Sequence, residues 1–572
     1  MTSTYETLRE RLQVAFDALE IGADSVLRTS EHGDYQANGV MALAKRLSRP
    51  PREVAAEIVE SLDLADVATV EVAGPGFLNL TVTTAFLDRQ LAELTTDARL
   101  GVAATPTPKR VVIDYSSPNV AKEVHVGHLR STVIGDALAR MYRFAGHHVI
   151  ARNHVGDWGT PFGMLIEHLL DLGEQAAASS LSMGDLDVFY REARAKFDAS
   201  DAFKGRSRSR VVALQGGDPE TLRLWHVLVN QSIAYFSAVY DKLDVTLGAD
   251  DIVGESYYNH LLESVVEDLR AAGLLVQSEG ALCVFPEGFQ NRDGEPLPLI
   301  VRKSDGGYGY AASDLAAIRD RVGTLHAQEM LYVVGVPQAQ HLEMVFAVAR
   351  QADWLPATVR CEHVTFGNVL GPDHKMFKTR SGETVKLVAL IDEAIERAFV
   401  ILDDRGTDLD GDAKYLLAEQ IARAAIKYAD LSTERQHDYV FDLERMIAFE
   451  GDTGPYLQYA HARVRSIFRR AATPFVPGDA HFALAAPAER SLALGLLAMP
   501  EAFTSALASL QPHRLCTYLF DLAQRFTSFY DTCPVLASEG ALREERLALC
   551  DLTARALELG LSVLGIDAPP QM

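Results

Sequence analysis

Cysteine is scarce in this chain, and its placement excludes several kinds of protein. Five cysteines are spread over 572 residues, none belongs to a Cys-x-x-Cys pair, and no histidine cluster stands beside them at zinc-finger spacing. The sequence therefore predicts neither a disulfide framework nor a structural zinc site. Scattered, unpaired cysteines are typical of the reducing cytoplasm, where we expect the protein to work.

Long apolar segments are also missing. The first residues lack the charged-then-apolar pattern of a secretion signal, and no stretch of about 18 consecutive apolar residues occurs. The longest apolar runs, such as Ser491 to Met499, are typical of buried helices. We therefore expect no membrane span and no membrane partner.

Positive charge is in short supply as well. Lysine and arginine number 54 against 78 aspartates and glutamates, which leaves a net charge of −24. Because phosphate binding favours lysine and arginine, this balance taken alone argues against a nucleic-acid partner. Local patches decide such contacts, however, and one predicted helix carries Arg463, Arg465, Arg469 and Arg470. That cluster fits an RNA contact and a solvated helix face equally well.

Periodicity divides the chain into three predicted domains. Residues 1–105 alternate helix and strand patterns, with a helix at Tyr5–Leu19 and strands at Val67–Val72 and Phe77–Val82, so a small α/β domain is expected. Residues 387–572 have helical spacing almost throughout, which predicts an all-α domain. The part between them has a different pattern.

Residues 106–386 have the pattern of a parallel-sheet domain. A buried strand at Lys109–Tyr115, a helix at Gly127–Phe144 and a strand at Val149–Asn153 form a βαβ unit. The later elements are a mainly helical insertion at about 165–245, a hairpin at about 275–301, and strands at Met330–Val334 and Val364–Leu370. Such a sheet is a fair candidate for nucleotide binding.

The segment His125-Val126-Gly127-His128 lies where the first strand of that unit passes into its helix. A helix N-terminus offers unpaired N–H groups and a partial positive charge, which suit phosphates. Gly127 has no side chain, so a flat adenine ring can approach the backbone. Two histidines can donate hydrogen bonds as negative charge develops on phosphates. The four letters also occur by chance in unrelated loops, but this position between strand and helix favours function.

A second element, residues 375–382, carries three cations in a loop that ends in glycine. Such a loop can close over a triphosphate and neutralise departing pyrophosphate. A solvated basic loop is the plainer interpretation of the segment alone. Together, the two elements predict both halves of an ATP clamp on one sheet.

The sequence around the histidines resembles the signature of arginyl-tRNA synthetases, a family of class I aminoacyl-tRNA synthetases. The similar blocks are Asp114 to Thr132, Asn153 to Thr160 and Gly33 to Asn38, and the resemblance runs over essentially the whole chain. It implies an α/β fold: a class I Rossmann-type catalytic domain with a helical insertion, a small N-terminal domain that contacts the tRNA D-loop, and a helical anticodon-binding domain. It also implies that ATP with Mg²⁺ activates L-arginine, which then passes to the tRNA 3′ end. No prosthetic group is implied.

The resemblance assigns an ATP site to the two motifs. The histidine segment corresponds to the family's HIGH motif and residues 375–379 to its KMSKS loop. The catalytic residues that it implies are His125, His128, Lys375 and Lys378. The ATP contacts that it implies are Lys122, His125, Gly127, His128 and Lys378. Phe377 and Thr379 stand where that loop has serines, so we expect it to act mainly through its lysines and main chain.

The choice of amino acid can be argued from chemistry. A guanidinium is planar and always charged, so it favours carboxylates that accept paired hydrogen bonds. Tyr310 and Asp314 lie one turn apart on a predicted helix, although a surface helix also explains that pair. The family uses a tyrosine and an aspartate at this spacing for the substrate guanidinium. The further arginine contacts that the resemblance implies are Asp114, Ser117, Asn119 and Gln338.

The expected RNA contacts lie near the two ends of the chain. The resemblance implies that Asn79 reads a D-loop base, and that Tyr456, Tyr459 and Arg463 contact tRNA, where aromatic rings can stack on unpaired bases. The plainer interpretations are a strand-edge asparagine and core aromatic residues. The expected partners are arginine tRNA, L-arginine and ATP, with no DNA, and the family predicts a monomer.

Two other functions stay open on the sequence alone. Another HxGH nucleotidyltransferase, making a small adenylylated product, would need neither the helical C-terminal third nor the N-terminal domain. A non-catalytic tRNA-binding paralogue would have no need of the predicted site residues. An arginine–tRNA ligase accounts for both sets of features.

Overall fold

The computed structural model describes residues 3–173, 186–377, 385–406, 409–471, 475 and 480–572. Its helices are fixed by local caps and by apolar faces that become buried. The first helix, Thr4–Leu19, is an example, because Ser3 caps it by accepting a hydrogen bond from the Glu6 N–H and one face of the helix is buried. Pro51 opens a later helix, where its missing N–H is not needed. The first helix begins within one residue of its predicted start at Tyr5.

The elements are numbered in chain order. Over residues 3–104 they are α1 Thr4–Leu19, β1 Leu27–Thr29, β2 Tyr35–Ala37, α2 Val40–Leu47, α3 Pro51–Ser61, β3 Ala68–Ala73, β4 Phe77–Val82 and α4 Thr84–Thr96. Over residues 105–448 they are β5 Arg110–Asp114, α5 Val126–Phe144, β6 His148–Arg152, α6 Thr160–Leu172, α7 Leu186–Ala199, α8 Asp201–Gln215, α9 Pro219–Leu243, α10 Leu262–Ala271, β7 Val276–Ser278, β8 Ala281–Val284, β9 Leu299–Arg302, α11 Tyr310–Gly323, β10 Glu329–Tyr332, α12 Ala339–Gln351, β11 Arg360–His363, β12 Val369–Leu370, α13 Leu387–Asp404, α14 Gly411–Leu431, β13 Tyr439–Val440 and α15 Leu443–Ile447. Over residues 449–572 they are α16 Gly454–Arg470, α17 Pro487–Leu497, α18 Met499–Ala508, α19 His513–Thr532 and α20 Gly540–Val563.

These elements form two compact units. The first combines residues 1–104 with 449–562 and 567–572, and the second comprises 105–448 and 563–566. Helices α13 to α15 therefore share a unit with the parallel sheet, and within it Arg130 of α5 forms a fully buried ion pair with Asp430 of α14 at 3.3 Å. This division differs from the three domains expected from periodicity, whose bounds at 105 and 386 stay a prediction.

The first unit contains an antiparallel sheet with the strand order β1-β2-β4-β3. Strands β3 and β4 are the two that periodicity predicts. Gly74 and Gly76 in the turn between them have positive φ, which side chains disfavour. Leu78 and Leu80 of β4 are buried, and Asn79 points to the opposite face because side chains alternate along a strand.

The most apolar stretch of this unit, Pro487–Ala508, is by length and composition apolar enough to cross a membrane. The structure divides it into α17 and α18. Leu492, Leu496, Met499 and Phe503 are buried inside the unit. The stretch thus has the pattern of buried core helices that the sequence predicts.

The second unit contains a parallel sheet with the order β11-β10-β5-β6. Val111, Val112 and Ile113 of the inner strand β5 have no exposed surface, as expected for a parallel strand covered on both faces. Strand β5, helix α5 and strand β6 form the predicted βαβ unit, and the Rossmann-type α/β fold class is confirmed. Because the carboxyl ends of parallel strands meet at one edge, the loops after β5, β6 and β10 share that edge.

The edge strand of this sheet differs from the prediction. The strand expected at Val364–Leu370 is wrong, because β11 lies before it and β12 pairs with β13 in a separate sheet. The Gly367 N–H donates to the Arg435 carbonyl at 2.8 Å, and the Arg435 guanidinium donates to the Thr365 carbonyl at 2.5 Å. These bonds replace sheet pairing and end the strand early.

The two predicted insertions have regular structure. Helices α6 to α9 make up most of the described residues of the one expected to be mainly helical, and its residues 174–185 lie outside the described part of the chain. The other, expected as a hairpin, is an antiparallel sheet of β7, β8 and β9. Gly294, in the turn signal between β8 and β9, has a φ of 83°.

Candidate active site

The histidine segment caps helix α5. The His125 Nδ1 accepts a hydrogen bond from the Gly127 N–H at 3.0 Å, and the His128 Nδ1 accepts one from the His125 N–H at 3.3 Å. The two ring centroids are 4.1 Å apart. Because each Nδ1 is an acceptor, we assign the ring proton to Nε2 in both residues. The pair therefore satisfies the helix end and retains two N–H donors for a ligand.

Burial keeps both histidines neutral. Burial, with electrostatic interactions with His125 and Lys122, lowers the pKa of His128 to about 3. Burial also lowers the pKa of His125. Positive potential comes instead from the helix N-terminus and from Lys122, whose ammonium lies 4.7 Å from the centre of the Tyr190 ring. Neutral donors beside a cation are suited to phosphate oxygens.

Gly127 is exposed between the two histidines. A Cβ at this position would lie 2.8 Å from the Cε1 and 2.9 Å from the Nδ1 of His125. A side chain would therefore push the His125 ring out of its capping position. Glycine is needed here for the cap as well as for the approach of a ligand.

The loop between β5 and α5 has a strained backbone. Ser116, Ser117 and Ala121 have φ values of 71°, 47° and 60°, which cost about 1–3 kcal/mol each in non-glycine residues. Buried hydrogen bonds stabilise this backbone conformation. In one of them the Ser116 Oγ lies 2.8 Å from the Tyr240 hydroxyl. Between these positions Asn119 is exposed. Strain of this kind clusters at ligand-binding loops.

Two predicted contacts for the amino acid lie on loops that follow neighbouring strands. Asn119 follows β5, and Gln338 ends the 3₁₀ turn Val336–Gln338 after β10. Both side chains are exposed. Because β5 and β10 pair in parallel, these loops lie at the edge where α/β sheets bind ligands.

Asp114 is already engaged by other side chains. Its Oδ2 accepts a hydrogen bond from Arg321 at 2.5 Å, and its Oδ1 accepts one from the Ser117 hydroxyl at 3.0 Å. Asp114 and Arg321 are both almost inaccessible. Its assignment as a direct arginine contact stays a prediction, and the geometry supports a second role in which it orients Ser117.

Helix α11 carries the predicted guanidinium residues on one face. Tyr310 is its first residue and is largely exposed, whereas Asp314 one turn later is partly buried. The Asp314 Oδ2 lies 2.6 Å from the Nε2 of His341 on α12. This hydrogen bond raises the pKa of His341. His341 lies one turn after Gln338, a spacing that would have singled it out in the sequence.

Glu255 is a carboxylate of the same pocket that the sequence pattern does not reveal. It opens a 3₁₀ helix, Glu255–Leu261, which has neither helical nor strand periodicity. Burial, with the charges of Asp314 and Asp157, raises the pKa of Glu255 to about 8. Glu255 and Tyr310 line a cavity of about 540 Å³. Within the described part of the chain Glu255 has no ion-pair partner, so a cationic ligand would satisfy it.

The second predicted motif lies partly outside the described residues, and Lys378 and Thr379 are among those not described. Lys375 is exposed. The Phe377 ring stacks on Phe441, with centroids 5.1 Å apart and planes at 17°. The phenylalanine that replaces a serine therefore anchors the start of the loop by packing.

The far end of that loop returns to the histidine segment. The Val126 N–H donates to the Val385 carbonyl at 3.1 Å, and Lys386 forms an ion pair with Glu123 at 2.9 Å. These contacts bring the residues after the lysine loop directly beside the helix cap. This proximity is what an ATP clamp built from both motifs requires.

Asn79, the predicted reader of a D-loop base, lies in the other unit. Its Oδ1 accepts a hydrogen bond from the Gln36 amide at 2.7 Å. Strand β4 is an inner strand of the sheet, so the alternative of a strand-edge asparagine is wrong. Asn79 and Gln36 together form a polar pair on the sheet face.

The predicted RNA residues of helix α16 already have partners. Tyr456 and Tyr459 pack edge-on against Phe520 and Phe449, although Tyr459 is 41% exposed. Arg463 lies 4.5 Å over the Tyr530 ring. Its neighbours on the helix are also engaged, since Arg465 pairs with Glu558 and Arg469 donates to the Pro570 carbonyl. Tyr459 is thus the most accessible of the predicted stacking residues.

Family models match nearly the whole chain. The model for the catalytic domain of class I (R) tRNA synthetases matches residues 90–443, more than half of the chain. The arginyl tRNA synthetase N terminal domain matches residues 6–82, and the DALR anticodon binding domain matches residues 457–572. 

The chain belongs to the arginyl-tRNA synthetase family.

Relatives of this family align over their full lengths. An arginine–tRNA ligase of Thermobifida fusca is 52% identical over 99% of this chain and 98% of its own, and one of Synechococcus elongatus is 47% identical over 100% of both. The arginyl-tRNA synthetase structure from Plasmodium falciparum aligns with a TM-score of 0.87 at 28% identity, covering 100% of both chains. That from Thermus thermophilus gives 0.81 at 26%, covering 99% of this chain and 100% of its own. The family predicted from the motifs is confirmed.

The family comparison also bears on helices α13 to α15. The arginyl-tRNA synthetase catalytic match ends at residue 443, and the anticodon-binding match begins at 457. The second compact unit likewise runs to residue 448. Most of the first 60 residues of the predicted helical domain therefore align with the catalytic model.

Proposed function

We propose that this chain attaches L-arginine to arginine tRNA by a two-step reaction. The observation that carries the proposal is a pair of chemically different features in one compact unit. One is a helix N-terminus that presents neutral His125 and His128, and the other is a cavity lined by Glu255, whose pKa the nearby Asp314 helps to raise. The first suits the phosphates of ATP, and the second suits a guanidinium.

In the first step, a carboxylate oxygen of arginine attacks the α-phosphorus of ATP, which enters as its Mg²⁺ complex. An acyl–phosphate bond forms, the bond between the α-phosphorus and the bridging oxygen breaks, and pyrophosphate leaves with the bonding electrons. His125 and His128 donate from Nε2 to the phosphate oxygens as charge grows on them. Lys375 and Lys378 neutralise the leaving pyrophosphate, and Lys122 adds positive charge beside the histidines.

The cavity holds the arginine side chain. Asp314 and Glu255 accept hydrogen bonds from the guanidinium, and the exposed ring of Tyr310 covers its planar face. Asn119 and Gln338, on the loops after β5 and β10, hold the amino-acid end of the substrate. Support for this arrangement comes from the raised pKa of Glu255, which lacks a described counter-ion.

Ser117 and Asp114 complete the proposed amino-acid site. The Ser117 hydroxyl already donates to the Asp114 carboxylate, and its N–H donates to the Asn153 Oδ1 at 2.9 Å. Lone pairs of Asp114 not used by Ser117 and Arg321 remain for a substrate ammonium. The pair therefore both supports the loop and contributes to binding.

The same carboxyl groups explain selectivity. A neutral side chain would leave Asp314 and Glu255 without partners, and sites that lose such bonds discriminate by roughly 10⁴–10⁵-fold. Lysine carries a charge but lacks the planar fork that pairs with carboxylates. No second, editing site is needed for a substrate rejected this strongly.

In the second step, a ribose hydroxyl at the tRNA 3′ end attacks the arginyl carbonyl carbon and releases its proton to solvent. An ester bond forms and AMP leaves with the electrons of the broken acyl–phosphate bond. Asn79 contacts the D-loop, and Tyr456, Tyr459 and Arg463 contact the anticodon region. We further propose that the enzyme works in the cytoplasm as a monomer, with no membrane or DNA partner.

Neither alternative function explains the whole chain. A small-molecule adenylyltransferase has no use for the segment that matches an anticodon-binding domain. A non-catalytic tRNA-binding paralogue has no use for capping histidines that keep free Nε2 donors. An arginine–tRNA ligase uses both.

The test is charging of purified arginine tRNA with radiolabelled arginine and ATP. We expect arginyl-tRNA to form, and lysine and the neutral isostere citrulline to be rejected. Binding of the tRNA without charging would favour the non-catalytic paralogue. Adenylylation of another small acceptor without any transfer to tRNA would favour the adenylyltransferase.

A further inference from the structure

We propose that His341 is a positioning residue of the arginine site, and that arginine, on binding next to Asp314, displaces a proton from His341. The inference rests on the proposed function, because it takes Asp314 as the carboxylate that binds the guanidinium. It adds a role for a residue that had none and couples arginine binding to proton release.

The contact between the two residues is specific. Asp314 comes from α11 and His341 from α12, and the Oδ2 and Nε2 atoms are 2.6 Å apart. About a quarter of the Asp314 side chain stays exposed, 25%, and 30% of that of His341. The bond therefore fixes one oxygen of the carboxylate and leaves the other available to a ligand.

The surroundings make His341 the counter-ion of this carboxylate. Among the described residues, His341 is the only ion-pair partner of Asp314. The other titratable and charged groups that face Asp314 or line the cavity are Arg208, Glu255, Lys303, Asp305, Tyr308, Tyr310 and Tyr332. Arg208 and Lys303 line the cavity but form no ion pair with Asp314. A cation entering the cavity therefore meets Glu255, which has no ion-pair partner among the described residues, close to Asp314, which His341 already contacts.

A proton on His341 weakens the binding of a guanidinium to Asp314. The hydrogen bond to Asp314 raises the pKa of His341. Below that pKa the imidazolium neutralises Asp314, so a guanidinium must compete with it. Above it the neutral ring still donates its Nε2–H, and Asp314 stays oriented with its full charge. Arginine affinity therefore rises with pH through this pKa, by up to about tenfold per pH unit for one proton released.

Glu255 adds a second effect that can be separated from the first. Its pKa is raised to about 8 by burial, Asp314 and Asp157, so a bound guanidinium favours loss of this proton too. That release does not depend on His341, so it persists in variants of His341. E255Q removes it.

Calorimetric titration of arginine into the full-length enzyme tests the inference, with H341Q as the main variant. The glutamine amide can donate to Asp314 but cannot take up a proton. We expect H341Q to bind arginine within about threefold of wild type near pH 8, and more tightly than wild type near pH 6. The number of protons released per bound arginine can be measured in buffers of different ionisation enthalpy. Near pH 6 this number should be lower for H341Q than for wild type, by up to about one.

Two further variants complete the experiment. H341A lacks the donor, and we expect it to bind arginine roughly tenfold more weakly near pH 8. H260Q changes an exposed histidine of the 3₁₀ helix after Glu255 and should keep the wild-type pH dependence. Thermal melting of each variant separates a loss of folding from a loss of binding, and H341Q carries the test if H341A does not fold.

A merely structural role for His341 predicts that H341Q weakens arginine binding by the same factor at both pH values. That result, or an unchanged pH dependence in H341Q, overturns the inference. If the wild-type enzyme charges tRNA with arginine in the same experiments, the proposed function survives that outcome. If wild type neither binds nor transfers arginine at any pH, the proposed function fails instead.

Discussion

Histidines in two regions of the second compact unit have opposite electrostatic surroundings. At the N-terminus of α5, His128 is buried beside His125 and Lys122, and its pKa falls to about 3. Between α11 and α12, His341 contacts Asp314, and its pKa rises. The same side chain is thus a permanent neutral donor in one place and a titrating counter-ion in the other. Residue type alone does not give the role, because burial and charges within a few ångströms set it.

The largest expected effect comes from removing the carboxylate on which this comparison depends. Asp314→Ala takes away a charged partner of the guanidinium, so kcat/KM for arginine should fall by roughly 10⁴-fold. ATP binding, measured by calorimetry, should stay within about twofold of wild type. Asp320→Asn, which alters a carboxylate on the same helix, is the matched control. Unchanged arginine affinity in the alanine variant would show that Asp314 does not bind the guanidinium.

The next largest effect is expected at the histidine pair. His128→Ala removes one N–H donor and half of the helix cap, so kcat for adenylate formation should fall by roughly 10²–10³-fold. Pyrophosphate exchange with tRNA present measures this step. The KM for arginine should barely change, because the acidic cavity is intact. A rise in that KM with unchanged kcat would show that His128 contributes to arginine binding and not to adenylate formation.

A smaller effect is expected when a side chain is added between those histidines. In Gly127→Ala the new Cβ would lie 2.8–2.9 Å from the His125 ring and displace it. We expect kcat to fall by roughly tenfold, less than for loss of a whole donor, with arginine binding unaffected. Stopped-flow measurement of adenylate formation checks this. A wild-type rate would show that the capping position of His125 is dispensable.

The smallest expected signal is the absence of a titration. Since burial lowers the pKa of His128 to about 3, its imidazole should stay neutral with the proton on Nε2 from about pH 5 to pH 8. His341, with its pKa raised by Asp314, should become protonated as the pH falls and carry a proton at pH 6. Nitrogen NMR of histidine-labelled enzyme, assigned with H128Q and H341Q, distinguishes the two. If both rings titrate alike, the predicted difference in protonation between His128 and His341 is wrong.

Local sequence patterns predicted the elements that carry the histidines. Strand β5, helix α5 and strand β6 lie where periodicity placed them, because apolar spacing and capping act within a few residues of the chain. The strand expected at Val364–Leu370 failed for the converse reason. Backbone bonds to Arg435, remote in sequence, divert that segment, and no local pattern encodes them.

Other gaps in the sequence-based prediction also have tertiary causes. Phe377, a departure from the family's loop, acquires a role only through its stacking on Phe441. The RNA contacts predicted at Tyr456 and Arg463 turn out to have packing partners within the helical region, which leaves Tyr459 the most accessible. Asp114 gains a buried partner, Arg321, from the far end of α11.

The sequence by itself determined the family and the histidine cap that is proposed to bind phosphate. His125, Gly127 and His128 are contiguous, so the cap that they form is a local property of the chain. Only the tertiary structure brought Glu255 and His341 to the proposed arginine end, where the sequence had already predicted Asp314. Glu255, Asp314 and His341 come from three separate elements, and charge interactions depend on distance through space, whatever the separation along the chain.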